Sequence, residues 1–88
     1  MQLAHNNYVS ITAASRAHMK LWREVWRAFL SDDMSMLTDA VDSIAQWINL
    51  ECGADIKSET ARINRVIIKE RSQAEHNLAR IEIATSWK

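Results

Sequence analysis

Three stretches of the chain carry apolar residues at helical spacing, separated by short polar breaks. In the first, Ile11, Ala14, Leu21, Trp22, Val25, Ala28 and Phe29 fall in one broad arc when each residue advances by about 100°. In the second, Met34, Leu37, Val41, Ile44, Ala45, Ile48 and Cys52 share a face. In the third, Ile56, Ile63, Ile67, Ala74, Leu78 and Ile81 recur at steps resembling a heptad seam, with Thr60 and Glu70 as its weak positions.

The breaks carry helix start and stop signals. Ser10 can accept a bond from a free backbone N–H and is the predicted start of the first helix. Ser31-Asp32-Asp33 ends that helix and offers caps for the next. Gly53 stands where a left-handed residue stops a helix at little cost, and Asp55 or Ser58 can cap the third. The pattern therefore predicts an N-terminal arm over 1–9 and helices over 10–30, 34–52 and 56–86. Short connections make consecutive helices antiparallel neighbours. The expected architecture is all-α: a three-helix bundle, or a helical hairpin with a long third helix, completed by self-association.

Self-association enters through the lengths. At about 1.5 Å per residue the first two helices run roughly 30 Å and the third about 45 Å. Some of the third helix then overhangs the hairpin, carrying Leu78, Ile81, Ile83 and Trp87. Leu3, Tyr8 and Val9 of the arm, or a second chain, are the expected cover.

Composition narrows this picture. The chain has 88 residues, enough for one domain with a thin margin for its core. No proline and a single glycine permit long uninterrupted helices and deny strands their turns. One cysteine excludes an internal disulfide and suits a reducing compartment. No run approaches the ~18 apolar residues of a membrane span. The opening MQLAHNNYV has neither the charged nor the apolar region of a signal peptide, so the expected location is cytoplasmic.

Net charge is zero but segregated. Residues 1–31 carry four basic groups and one acid; 32–59 carry seven acids and one lysine; 60–88 carry six basic groups and three acids. A basic–acidic–basic order suits segments that fold back on one another, and does not describe a general polyanion binder. Within the first helix, Arg16, Lys20, Arg23 and Arg27 follow steps of four, three and four and form a stripe opposite the apolar arc.

Candidate chemistry is sparse. His5, His18, His76 and Cys52 are scattered singly, without the paired spacing of a zinc site. His18 lies on the apolar face of the first helix and reads as a hydrogen-bonded buried histidine. Cys52 reads as a core thiol, since no activating base is placed beside it. Asp39 and Asp42 are helix neighbours, an arrangement more typical of solvated charge than of acid–base work. A single glycine excludes the glycine-rich phosphate loops. Nothing points to a catalytic residue, a metal, a cofactor or a small-molecule substrate.

The flank of the apolar arc formed by Met19, Trp22, Trp26 and Leu30 is either core, wrapped by the long third helix, or a contact surface, and the second is the strongest functional signal. Tryptophan supplies large contact area and is enriched among interface hot spots. The expectation is a small non-enzymatic adaptor or inhibitor. It binds a larger protein, itself as a homodimer, or both. The contact is placed at Trp22, Trp26, Ile83 and Trp87, rimmed by Arg23 and Arg27, with the tryptophans inserted into a groove of the partner. The alternative is a nucleic-acid binder using Arg16, Lys20, Arg23 and Arg27. In that reading Gln73 is the main candidate for base contact.

Overall fold

The computed structural model describes the backbone of residues 2–86 and the side chains of 16–86. Trp87, one of the expected contact residues, lies outside that range, as do the side chains of the arm. The chain is all-α: α1 (Gln2–Leu30), α2 (Met34–Cys52), α3 (Ile56–Glu70) and α4 (Ala74–Ser86), with one 3-10 turn (Arg71–Gln73) between the last two. The first helix runs from Gln2, so Ser10 lies inside it and is not its cap, and residues 2–9, expected as an arm, are helical.

The connections follow the sequence signals closely. Asp32 adopts the left-handed conformation at φ 56°. Its N–H reaches the Phe29 carbonyl at 3.1 Å, and the Asp33 N–H reaches the Ala28 carbonyl at 3.1 Å. This paired closure satisfies the last free carbonyls of α1. Asp33 then caps α2, its carboxylate accepting the Met36 N–H at 3.0 Å. Gly53 ends α2 at φ 72°, and its N–H bonds the Asn49 carbonyl at 2.8 Å. Asp55 caps α3 by accepting the Ser58 N–H at 2.9 Å.

The third helical stretch is not continuous. At Glu70 the backbone leaves helical geometry (φ −106°, ψ 10°), passes through Arg71–Gln73 and restarts at the buried Ala74. Asn77 donates its side-chain amide to Glu70 Oε1 at 3.0 Å across the bend. The turn swings α4 back onto α1, while α1 also packs on α2 and α2 on α3. A straight helix would have left Leu78 and Ile81 in water; here both pack against the core. Full burial of side chains of that size is worth about 1.5–3 kcal/mol each, and the partial burial of these two, a fraction of that, helps offset the helical hydrogen bonds lost at the turn. Leu78 and Ile81, for which the N-terminal residues or a second chain were the expected cover, are thus partly covered by the core of the same chain. Among the described apolar residues of that overhang, Ile83 stays exposed at 62%.

The core is a contiguous cluster of Val25, Trp26, Ala40, Val41, Ile44, Ala45, Ile63, Ile67 and Ala74. Its members come from all four helices, which confirms the three amphipathic stripes as the organising pattern. Three residues expected on the apolar faces are exposed, Cys52, Met34 and Ile56, the last at the start of α3. Cys52, the last residue of α2, is exposed and is not the expected core thiol. Met34, in the first turn of α2, is exposed as well. No described helix is long and apolar enough to cross a membrane.

Candidate functional site

The bend leaves a gap. α4 leans on α1 at one side and joins α3 at the other, and α1 and α3 are not closely packed between them. The result is an open groove of about 400 Å³ bounded by these three helices. Met19, Trp22 and Trp26 come from α1, Arg62, Val66 and Glu70 from α3, and Asn77, Arg80, Ile81 and Ala84 from α4. The volume lies toward the small end of the range for ligand pockets, about 300–1,000 Å³.

The tryptophans form the groove instead of projecting from the molecule. Trp26 is 3% exposed and belongs to the core. Its ring meets Phe29 edge-on, with centroids 6.0 Å apart and planes at 85°. Trp22 is half-buried and stacks on Trp26 at 5.9 Å with planes 27° apart. Trp26 cannot serve as an anchor inserted into a partner, because its contact area is already consumed within the chain. Trp22 and Trp26 line a concavity of the chain.

Trp22 is held from behind. Its indole Nε1–H donates to His18 Nε2 at 2.9 Å. The His18 ring in turn stacks on Trp47 of α2, centroids 5.2 Å apart and planes 16° apart. Accepting at Nε2 places the histidine proton on Nδ1 and requires the neutral ring. Burial, and secondarily the positive Arg62, lower the His18 pKa from its ordinary value of 6.5. The expected hydrogen-bonded histidine is thus present, and it braces the groove wall.

The charged rim is uneven. Arg62 is bridged by Glu59 at 3.0 Å, and Glu70 is tied to Asn77. Arg80 is exposed and makes no ion pair with another described residue. The rim expected at Arg23 and Arg27 faces elsewhere. Arg27 lies 3.3 Å from Glu24 and 3.9 Å from Glu82, and Arg23 Nε lies 3.5 Å from Glu24. Two of the four cations of the α1 stripe therefore already have carboxylate partners, leaving Arg16 and Lys20 exposed at its other end. Ile83 is exposed and does not line the groove.

A second cleft, of about 450 Å³, lies between α2 and α3, lined by Met34, Leu37, Val41, Asp39, Asp42, Thr38, Thr60 and Asn64. Asp42 there accepts the Gln46 amide at 2.7 Å.

Sequence reasoning located Met19, Trp22, Trp26 and Ile81 but gave no role to Trp47, Val66 or Ala84. Arg62 and Val66 are spaced four apart at the edge of the α3 stripe, which is the one trace of a shared face. The α4 contribution depends on the bend, for which the sequence holds no proline or glycine signal. Compared with protein-family models, curated proteins and solved structures, the chain matches none.

Proposed function

We propose that this chain is a small non-enzymatic protein-binding protein, an adaptor or inhibitor, that receives apolar side chains of a larger partner in the α1/α3/α4 groove. The observation that carries the reading is the groove itself, with an aromatic wall at Trp22 and an apolar lining from Met19, Val66, Ile81 and Ala84. Arg80 supplies a rim cation with no ion pair among the described residues, so the matching partner segment places a carboxylate beside its apolar residues. Apolar burial provides the affinity, and the charge sets register and on-rate.

The nucleic-acid alternative draws less support. Its stripe is half engaged by Glu24 and Glu82, and α2 carries acids without a basic residue.

The test fills the groove. Val66→Arg and Ala84→Trp should each weaken partner capture from nuclease-treated native extract by tenfold or more, roughly 1.4 kcal/mol. Ile83→Asp, outside the groove, should leave it unchanged. Sedimentation of the same variants shows whether a second copy is the occupant. Capture that survives groove filling and is lost on adding salt would move the function to the basic stripe.

A further inference from the structure

We infer that His18 is a pH-operated latch: its protonation releases the Trp22 indole and loosens the groove wall, so that occupancy of the groove falls in acid. The last step rests on the groove being the binding site; the release of Trp22 does not.

The chemistry is one of donors and acceptors. A neutral imidazole with its proton on Nδ1 offers a lone pair at Nε2, and the Trp22 Nε1–H occupies it at 2.9 Å. Imidazolium has an N–H at both nitrogens and no lone pair. Protonation therefore sets two donors against each other, and one must move. The indole has no acceptor role to fall back on, because Trp Nε1–H only donates.

The surroundings decide which ring moves. From α2, Trp47 covers the face of His18 in a near-parallel stack. A cation over an indole face is attracted by the ring quadrupole, so the charged imidazole gains a reason to stay on Trp47. From α3, Arg62 is the charged group that bears on His18, and Glu59 bridges that guanidinium at 3.0 Å. Arg62 also lines the groove, so the repelling cation and the loosened wall belong to one site. Trp22 is only half-buried and stands at the edge of an open space, so it has somewhere to go. Arg62 and burial both oppose the charged ring, which places the transition on the acid side of 6.5.

Two signals test the latch in the intact chain. NMR titration follows the His18 imidazole and the Trp22 indole N–H together; both should shift with one midpoint. The neutral dye N-phenyl-1-naphthylamine reports the groove without responding to added charge, and its affinity should fall about fivefold across the same midpoint, the worth of one net hydrogen bond. His18→Gln offers a carbonyl oxygen that cannot titrate and should hold neutral-pH affinity throughout. His18→Phe keeps the stack, removes the acceptor and should show the weak affinity at every pH. His76→Gln, on exposed α4 surface, should titrate like the parent. A Trp22 indole that stays unmoved while His18 titrates would overturn the latch. A dye that binds equally well to Ala84→Trp would overturn the groove as its seat, while the indole titration still decides the latch.

Discussion

Truncating the two stacked tryptophans separately should give very different results. Trp26→Ala removes a side chain that is 3% exposed, stacked on Trp22 and edge-on to Phe29. Large aromatic truncations in a core cost about 3–5 kcal/mol, including the cavity left behind. Loss of two aromatic contacts places this one in the upper part of that range, since each is worth about 0.5–1.5 kcal/mol beyond burial. A domain of this size has only about 4–13 kcal/mol in total, from roughly 0.05–0.15 kcal/mol per residue. The midpoint of thermal unfolding should therefore fall by at least ~12 °C, at about 4–8 °C per kcal/mol. Trp22→Ala removes a half-buried ring and one hydrogen bond, so about 1.5–2.5 kcal/mol is expected. Urea unfolding followed by helical circular dichroism measures both. A loss under about 1 kcal/mol for Trp26→Ala would refute the reasoning, because a ring so fully enclosed cannot be removed that cheaply. Equal losses at both positions would refute the division between core and wall.

The remaining predictions concern the turns and the half-buried His18. Asp32→Gly should stabilise the chain by about 0.5–1 kcal/mol in urea unfolding, because Asp32 holds a left-handed conformation (φ 56°) that glycine adopts freely. Gly53→Ala should cost about 1 kcal/mol in the same assay; a new Cβ meets nothing within 4 Å, so strain at φ 72° is the whole penalty. For His18, the lowered folded-state pKa means the unfolded chain binds the extra proton first as pH falls. Its contribution to stability is complete above 6.5 and is lost as pH drops from there through the folded-state value, below which the loss is constant. His18→Gln should remove that slope from a urea-midpoint profile between pH 7 and pH 5.

Much of this fold is written locally, and the parts that are not share a cause. Asp33, Gly53 and Asp55 act on their own neighbours, so their roles could be read from sequence alone. The stripes of Val25, Ile44, Ile63 and Ile67 are periodic, so their burial was legible too. The bend at Arg71–Gln73 is different. It is favoured by what Leu78 and Ile81 gain against α1, a partner far away in the chain, and no local residue announces it. Glu70, the weak position in the seam, was its only trace. The site inherits that blindness, since a groove defined by α4 cannot be foreseen while α4 is drawn as a straight extension of α3. Trp26 illustrates the same limit: periodicity placed it on an apolar flank that could be core or contact surface, and the fold places it in the core.

The return of α4 also determines how the molecule comes apart. Ala74 is the only fully buried residue in that helix, and Leu78 and Ile81 are covered on part of their surface. A segment with so few enclosed side chains opens at lower free energy than the α1–α3 framework. Amide exchange should therefore show α4 as a separate cooperative unit, losing protection well before Val41, Ile44 and Ile63. One wall of the groove then exists only while that unit is closed. A partner seated against Ile81 and Ala84 binds the closed form alone and slows exchange throughout α4, at amides it never touches.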